Sequence, residues 1–188
     1  ANYGIYLLGI ASGPVNNTNI SNNNIQAICS GVASNCSGIY LQNNANYNII
    51  GGNNITTNGT SADFGIYLFG TAALAVNSNT ISLNTITTNS PYSNGINLLY
   101  SSSNILDSNT IDVSKADRIL INSTSLNNNL TNNLIIDRNY SYYDINFSSA
   151  SINGTWLIDQ YLENYSFTGL GGNINIKENP FNFSLMYT

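Results

Sequence analysis

Two short blocks of sequence recur five times along this chain, always in the same order. The first block has the form Gly-Ile-Tyr-Leu, and its copies begin at Gly4, Gly38, Gly65, Gly95 and, in a degenerate form, Arg118. The second block has the form aliphatic-x-x-Asn-x-Ile, and its copies begin at Ile20, Ile50, Ile81, Leu106 and Leu130. Such a recurrence is typical of a solenoid, in which each repeat forms one coil of a stack.

The geometry of a β-strand explains the first block. Residues two apart on a strand point to the same face, so the Ile and Leu face one side and the Tyr faces the other. A strand this short is stable only when the equivalent strand of the next coil pairs with it, about 4.8 Å away. The pattern therefore predicts an all-β fold built as a parallel β-helix of about five to seven coils.

The second block predicts a corner between two strands. Its aliphatic residue ends one strand, the turn carries Asn, and Ile opens the next strand. Asn tolerates the left-handed backbone that such a turn requires, and its side-chain amide can satisfy nearby backbone groups. Repeated once per coil, these amides are expected to stack as an internal ladder of Asn23, Asn53, Asn84, Asn109 and Asn133.

These blocks resemble the right-handed parallel β-helix repeats of the broad pectate-lyase superfamily. They are similar in particular to NosD-type periplasmic proteins and to Asn/Thr-rich surface proteins of archaea. The likeness covers residues 4–136, and we expect β-helix coils over 1–136. Residues 137–188 lose the two-block rhythm, and we expect them to form C-terminal β-rich coils or an irregular cap of the same domain. The resemblance leaves the function open, because this scaffold carries enzymes, adhesins and surface-layer proteins alike.

The charge pattern excludes two classes of partner. Only 7% of the residues are charged, and the net charge is −5. The few basic residues form no patch that would meet phosphates, so nucleic acid is not an expected partner. No apolar run approaches the roughly 20 residues of a membrane span.

The chain also contains twelve Asn-x-Ser/Thr acceptors for N-glycans. Their asparagines are Asn16, Asn19, Asn35, Asn54, Asn58, Asn122, Asn129, Asn139, Asn146, Asn153, Asn164 and Asn182. A chain rich in Asn, Ser and Thr produces such triplets by chance, which is the alternative explanation. However, no ladder residue is in an acceptor, and strand alternation turns several acceptors outward. We therefore expect covalent N-glycans and an extracellular or cell-surface location.

Two cysteines, Cys29 and Cys36, lie in one insertion between coils. Their spacing permits a small disulfide-closed loop, which an oxidising compartment favours, and two free buried thiols are the alternative. No metal site is expected, because His is absent and two thiols alone do not make a zinc site.

Catalytic chemistry has little support in the sequence. Without His, the usual general base is missing. Glycoside hydrolysis needs two carboxyl groups within roughly 5–9.5 Å of each other. The one suggestive group is expected to be a solvated coil junction with surface ion pairs, and it consists of Asp112, Lys115, Asp117 and Arg118. We therefore expect no enzyme activity and no cofactor.

Three tyrosines, Tyr6, Tyr40 and Tyr67, occupy the outward position of consecutive first blocks. Such a stripe suits sugar binding or an interface between subunits. Alternatively, the rings only stiffen the sheet through cross-strand stacking, at about 0.2–1 kcal/mol per pair.

Two classes of function follow from these features. The first is a structural role as a glycosylated, self-assembling subunit of a surface layer, sheath or filamentous appendage, whose partner is another copy packed head-to-tail or laterally. No cap is evident at Asn2-Tyr3-Gly4-Ile5, so the first coil is expected to receive the last coil of another copy. The alternative is a carbohydrate-binding or carbohydrate-active module, related to a lyase or an epimerase. A truncated NosD-like scaffold is a third option.

Overall fold

The computed structural model describes residues 2–29, 36–60, 63–137, 145–147, 155–159, 165–167 and 173–176. This part of the chain forms β-strands joined by turns and contains no helix. Accordingly, the described residues include no helix that is long and apolar enough to cross a membrane.

The strands are short and follow one another closely. The first eleven are β1 (Asn2–Leu8), β2 (Val15–Asn16), β3 (Asn19–Ser21), β4 (Asn24–Ile28), β5 (Cys36–Gln42), β6 (Ala45–Asn46), β7 (Ile49–Gly51), β8 (Asn54–Asn58), β9 (Phe64–Phe69), β10 (Thr80–Ser82) and β11 (Thr85–Thr88). The next ten are β12 (Ile96–Leu99), β13 (Ile105–Asp107), β14 (Thr110–Val113), β15 (Ile119–Asn122), β16 (Asn129–Thr131), β17 (Leu134–Asp137), β18 (Ile145–Phe147), β19 (Thr155–Asp159), β20 (Tyr165–Phe167) and β21 (Asn173–Ile176).

Three parallel sheets run along the stack of coils. The first sheet has the order β1-β5-β9-β12-β15-β18-β20, and the second has the order β3-β7-β10-β13-β16-β19-β21. The third contains β4, β8, β11, β14 and β17, while β2 and β6 form a separate pair. Since the chain visits each sheet in turn and pairs with the strand one coil away, the predicted parallel β-helix is confirmed.

The registers of the sheets follow the two blocks of the sequence. In the first sheet, Ile39 pairs with Ile5 of the preceding coil and with Ile66 of the following coil. Ile119 of the degenerate fifth copy pairs with Ile96 in the same way. The second and third sheets likewise align the aliphatic residues that open and close the second block. The inward-facing aliphatic residues therefore stack on one another throughout the part of the chain that carries both blocks.

The inward-facing aliphatic side chains of all three sheets form one continuous hydrophobic core. Ile39, Leu41, Ile50 and Ile55 have no exposed surface. Burying such a side chain stabilises the fold by about 1.5–3 kcal/mol relative to leaving it exposed. Because each coil supplies a similar set, the core extends along the stack and is not confined to its centre.

The glycine that opens the first block is a packing residue. A Cβ atom at Gly65 would lie 2.2 Å from Cγ2 of Ile86 on the third sheet and 2.5 Å from the carbonyl oxygen of Gly95. Gly38 is equally close to Ile55, which holds the equivalent position one coil earlier. Only a residue without a side chain lets the first and third sheets approach this closely.

The five amides of the predicted ladder lie in one column at the corner between the second and third sheets, and all but Asn23 of the first coil are buried. Asn53 Nδ2 donates to Asn84 Oδ1 at 3.0 Å, and Asn84 Nδ2 donates to Asn109 Oδ1 at 2.9 Å. Asn23 precedes them in the column, and Asn133 follows. From the second coil onward, each Oδ1 also accepts the backbone N–H of the Asn one coil earlier, as Asn84 Oδ1 does from Asn53 at 3.0 Å.

A second column of amides lies at the other end of the second sheet, five residues before the first in each coil. Asn48 Nδ2 donates to Asn79 Oδ1 at 3.0 Å, and Asn79 Nδ2 donates to Asn104 Oδ1 at 3.1 Å. Asn104 continues to Asn128, while Thr18 occupies the first position and donates its backbone N–H to Asn48. Every second-sheet strand of these coils is thus bracketed by two amide or hydroxyl residues.

The expectation that the ladder asparagines provide the left-handed backbone is wrong. The residue immediately before each of them has the positive φ, as at Leu83 with 57° and Ser108 with 54°. Gly52 has the same conformation, with a φ of 65°. The turn residue and the ladder residue are therefore distinct, because the ladder amide must point inward while the preceding residue reverses the chain.

The first two sheets continue beyond residue 136. Strand β18 pairs with β15, and β19 pairs with β16, both in parallel. Strands β20 and β21 add one further strand to each sheet. The stack thus crosses the boundary at 136 and 137, while a cap formed by the final residues, 177–188, stays a prediction outside the described part of the chain.

Candidate functional site

The outer face of the first sheet carries a stack of aromatic rings. Tyr6, Tyr40 and Tyr67 are direct neighbours in the register of β1, β5 and β9. Their rings follow one another with centroid distances of 5.2 Å, at interplanar angles of 9° and then 21°. The spacing of about 4.8 Å between paired strands sets this distance, so the backbone itself aligns the rings.

Three further rings widen this stack into what we call the aromatic platform, which consists of Tyr3, Tyr6, Tyr40, Phe64, Tyr67 and Phe69. The ring of Tyr3 lies 4.7 Å from that of Tyr40, and Phe64 lies 4.6 Å from Tyr67. Tyr6 is 42% exposed, whereas Tyr40 is only 7% exposed because its neighbours cover it. Five of the six rings line a shallow cavity of about 190 Å³.

Tyr40 and Tyr67 stay neutral over a wide range of pH. Burial, and next the charge of an ionised Tyr3, raise the pKa of Tyr67 from its ordinary value to about 12. Burial also raises the pKa of Tyr40, with the charge of an ionised Tyr67 as the next cause. At ordinary pH these groups therefore remain O–H donors, and Tyr6 donates its hydroxyl proton to Gln42 Oε1.

Beyond Tyr67, the same outward-facing position of the first sheet is no longer aromatic, and two of its next three residues are asparagines. Asn97, Leu120 and Asn146 follow Tyr67 in the register of β12, β15 and β18. They lie in a second cavity of about 450 Å³, which we call the polar groove. Phe64 lines both cavities, so the platform and the groove form one continuous surface.

The hydrogen-bond partners in the polar groove are unevenly distributed. Asn146 Nδ2 donates to Asp117 Oδ2 at 2.7 Å, and Asn94 Nδ2 donates to the Asp117 carbonyl oxygen at 2.9 Å. Asn97 Oδ1 is buried and accepts no hydrogen bond from the described residues. Lys115 is exposed at the edge of the groove. The groove therefore contains an acceptor without a donor, a fixed carboxylate and one cation.

Comparison with known families agrees with this architecture. The family model described as "Right handed beta helix region" matches residues 3–181, which is most of the chain. The chain belongs to the right-handed β-helix family. No curated protein and no solved structure matches it. Family membership establishes the handedness and the fold, and it leaves open which of the many activities of this scaffold the chain performs.

The four charged residues predicted to form a solvated coil junction differ in their exposure to solvent. Lys115 is exposed, and Asp112 and Asp117 are partly buried, as solvated residues can be. Arg118, however, has no exposed surface, so the expectation of a solvated junction is wrong for this residue. The reason is its position: Arg118 is level with Gly95, at the place where the first sheet packs closely against the third. Its carbonyl oxygen accepts the N–H of Ile96 at 2.9 Å.

The predicted glycan acceptors of the β-helix differ in exposure. Asn16, Asn19, Asn54 and Asn58 are exposed. Asn122, Asn129 and Asn146 are partly buried, and Asn146 is already bonded to Asp117. The remaining acceptors lie outside the described residues, and they are Asn35, Asn139, Asn153, Asn164 and Asn182. Glycosylation stays a prediction, with the four exposed asparagines as its best candidates.

The two cysteines form a disulfide bond. Cys29 follows β4 of the third sheet, and Cys36 opens β5 of the first sheet, with their Cα atoms 6.2 Å apart. The alternative of two free thiols therefore does not apply to this structure. Both sulfurs are buried beside Ala27 in a small hydrophobic cluster of their own.

Sequence reasoning missed the second amide column and the polar groove. A signal for the column exists, because Asn stands two residues before the aliphatic position at Asn48, Asn79, Asn104 and Asn128. The groove has no comparable signal, since Asn94 and Asn97 belong to one coil and Asp117 to the next, and none of the three recurs at its position in the other first blocks.

Proposed function

We propose that this β-helix binds an extended carbohydrate chain outside the cell, along the outer face of its first sheet, without catalysing a reaction. The observation that carries the proposal is the continuity of the aromatic platform with the polar groove. Carbohydrate sites combine apolar faces, on which sugar rings stack, with a few fixed polar groups that bind hydroxyls. Both parts are present on one surface here.

The unpartnered amide oxygen of Asn97 supports a ligand rich in hydroxyl groups. A buried acceptor without a hydrogen bond costs about 1–3 kcal/mol. A sugar hydroxyl that donates to Asn97 Oδ1, once the side chains that cover this atom move aside, would remove this cost upon binding. The neutral phenols of Tyr40 and Tyr67 and the cation of Lys115 offer further partners within the same surface.

The arrangement of the carboxylate favours binding over catalysis. Asp117 is the one carboxylate among the described residues that line the polar groove. Its Oδ2 accepts a hydrogen bond from Asn146, and glycoside hydrolysis would require a second carboxyl group within roughly 9.5 Å. The proposal therefore assigns Asp117 a positioning role toward a sugar.

The extracellular location is supported by two independent features. A disulfide bond persists in oxidising compartments and is rare in the cytosol. In addition, four N-glycan acceptors are exposed in strands β2, β3 and β8. Only 7% of the residues are charged, so attached glycans would supply hydrophilic groups that charged side chains provide on most proteins.

Binding to a panel of neutral and acidic polysaccharides, measured by isothermal titration calorimetry, tests the proposal. We expect at least one polysaccharide to bind the native chain. Asn97→Leu and Phe64→Ala should each weaken that binding by about tenfold or more, which corresponds to about 1.4 kcal/mol. Tyr47→Ala is the matched control, because Tyr47 is an exposed aromatic residue outside the platform. Unchanged affinity of both groove variants, or no binding to any polysaccharide, would refute the proposal.

Self-assembly is a second candidate, supported by a different surface. Ile49 and Ile105 are 50% and 41% exposed on the outer face of the second sheet. Each pairs with Thr80 between them, so two isoleucines flank one threonine in a column across three coils. Asn19 and Asn129 continue this column at its two ends, so lateral packing requires these two acceptors to be without glycans. A net charge of only −5 provides little repulsion between copies. The proposed occupant of this column is therefore a second copy of the chain, packed laterally.

Sedimentation velocity over a range of protein concentrations tests the second candidate, with electron microscopy of the same samples. We expect the native chain to associate and Ile105→Asp to remain monomeric. Thr85→Asp, an exposed change on the third sheet, should associate like the native chain. A native chain that is monomeric at every concentration, or an Ile105→Asp chain that still associates, would contradict lateral packing.

A further inference from the structure

Cys29, Cys36 and Asp63 form a buried cluster at the edge of the stack. Their relative exposures are 2%, 0% and 0%. One ligand atom from each, the two Sγ atoms and a carboxylate oxygen, all lie within 4.8 Å of one another. The three residues come from three successive coils, since Cys29 follows β4, Cys36 opens β5 and Asp63 immediately precedes β9.

The Asp63 side chain is held in place but only half satisfied. Its Oδ1 accepts the backbone N–H of Cys36 at 2.9 Å, and its own N–H donates to Ser93 Oγ at 2.9 Å. Its Oδ2 is buried and accepts no hydrogen bond from the described residues. A Cβ atom at Gly59 would lie 2.1 Å from Oδ2, so the glycine leaves the space that the carboxylate occupies.

Asp63 Oδ2 is a suitable ligand for a positively charged partner. A buried carboxylate is accommodated in its ionised form where it has such a partner or coordinates a metal. The disulfide beside it is uncharged and supplies no such partner. The same cluster with reduced cysteines would present two thiolate sulfurs and one carboxylate oxygen, which are ligands that Zn²⁺ accepts.

We propose that reduction of the Cys29–Cys36 disulfide converts this cluster into a Zn²⁺ site with Cys29, Cys36 and Asp63 as its three protein ligands. Zinc binds sulfur at about 2.3 Å and carboxylate oxygen at about 2.0–2.2 Å in a tetrahedral arrangement. These bond lengths place ligand atoms about 3.4–3.8 Å apart, which is compatible with a cluster whose atoms lie within 4.8 Å. Water occupies the fourth position.

The conversion is balanced in electrons and protons. The disulfide accepts two electrons and two protons from a dithiol reductant, which becomes a disulfide, and two thiols form. Zn²⁺ then displaces the two thiol protons and forms two Zn–S bonds, while the Asp63 carboxylate becomes the third ligand. The disulfide and the zinc site exclude each other, because the same sulfur atoms make both.

The two states have one structural effect in common. Cys29 directly follows β4, the third-sheet strand of its coil, and Cys36 begins β5, the first-sheet strand of the next coil. Either the S–S bond or the metal holds these two points together. Whenever the disulfide is reduced, the zinc site would thus preserve the cross-link and add a contact to Asp63 of the following coil.

The third ligand explains why sequence reasoning predicts no metal. Two thiols in one short segment are too few for a zinc site. Asp63 is 27 residues beyond Cys36 in the sequence. The stacking of the coils brings the Asp63 side chain next to Cys36, whose backbone N–H donates to Asp63 Oδ1.

Cobalt titration of the reduced, intact chain tests this proposal. The chain is reduced with a phosphine, which is removed anaerobically, and Co²⁺ is added as the spectroscopic substitute for Zn²⁺. We expect one Co²⁺ per chain, with a thiolate-to-cobalt charge-transfer band, and no band for the disulfide form. Cys36→Ser should reduce the band strongly. A reduced chain without the band would overturn the proposal.

Asp63→Asn distinguishes this site from binding by the thiols alone. Loss of an outer partner already weakens metal binding by about 10–100-fold, so loss of a direct ligand should weaken it by about tenfold or more. Asp112→Asn removes an equal charge elsewhere and should bind like the native chain. Equal affinity of the Asp63→Asn and native chains would contradict the assignment of the carboxylate.

A folding measurement excludes binding by unfolded thiols. Circular dichroism should show the same β-sheet signal in the reduced native and Asp63→Asn chains without metal. Zn²⁺ should then raise the unfolding midpoint of the native chain more than that of Asp63→Asn, because only the folded native chain assembles three ligands. An equal rise in both chains would refute the proposal even where Asp63→Asn is less stable at the outset.

Discussion

The inner corner and the outer face of this β-helix use the same side chain in opposite ways. Asn84, in the inner corner, is 1% exposed, and both its oxygen and its nitrogen have hydrogen-bond partners. Asn97, on the outer face, is 7% exposed, and its Oδ1 has no donor among the described residues. The two amides are almost equally buried but differ in how far they are satisfied.

The difference shows that burial alone does not tell whether an asparagine amide has its hydrogen-bond partners. A satisfied buried amide stabilises the fold, because its partners would otherwise lose their hydrogen bonds. An unsatisfied one costs stability, and our proposal is that a ligand provides the missing partner of Asn97. Each of the following predictions tests this contrast between the inner corner and the outer face.

Asn84→Leu should have the largest effect on stability. The substitution leaves the N–H and Nδ2 of Asn53 and the carbonyl oxygen of Ile50 without their present partners. We expect the free energy of unfolding to fall by about 3 kcal/mol, measured by urea denaturation. Asn54→Leu is the matched control, since Asn54 is exposed on the outer face of β8, and it should change stability by less than about 0.5 kcal/mol. Equal losses for both variants would count against the ladder.

Gly65→Ala should have the second largest effect. The added methyl group meets Ile86 Cγ2 and the Gly95 carbonyl oxygen at distances that no pair of atoms tolerates. We expect a loss of about 1–3 kcal/mol from overpacking, again by urea denaturation. Gly13→Ala is the control, because its Cβ would lie 3.5 Å from the nearest atom, Ile10 Cγ1. A Gly65→Ala chain as stable as native would show that the two sheets can move apart.

Tyr67 should make the stability of the outer face sensitive to alkali. Its folded pKa of about 12 lies above its ordinary value of 10.0. Its contribution is therefore fully present below pH 10 and declines as the pH rises towards 12, because the unfolded phenol releases its proton first. We expect thermal unfolding midpoints to fall less steeply over this interval in Tyr67→Phe than in the native chain. Parallel curves for the two chains would contradict burial as the cause.

Asn97→Leu should have the smallest effect on stability and the opposite sign from Asn84→Leu. Replacing an unsatisfied amide by an apolar side chain is nearly neutral or stabilising, and Leu120 already occupies the next position of the column. We expect a change within about 0.5 kcal/mol, or a small gain, by urea denaturation. A loss as large as that of Asn84→Leu would mean that Asn97 is a structural residue as well.

Most of the fold could be predicted from the sequence, because each block repeats one register position. The alignment of Ile39 with Ile66, and of Ile50 with Ile81, follows directly from stacking like on like. The left-handed residue was harder to predict, since Asn22, Gly52 and Leu83 share that conformation but not their side-chain type. The turn depends on backbone position, which residue identity alone does not reveal.

The candidate sites could be predicted only in part. Tyr6, Tyr40 and Tyr67 share one position of a repeat, so their proximity was predictable. Asp63 and Asn97 were not, because the first contacts a different coil and the second interrupts the aromatic series. Both residues are candidates because one of their side-chain oxygens has no hydrogen-bond partner. The absence of a partner cannot be read from a sequence.

The amide ladder also determines how such a protein can change in length. Asn84 is 31 residues from its partner in the preceding coil and 25 residues from its partner in the following coil. Both coils nevertheless present the same acceptor on one side and the same donor on the other. Duplication or deletion of a whole coil would therefore join surfaces with matching donors and acceptors. The number of coils can change in this way without leaving a ladder amide unpaired.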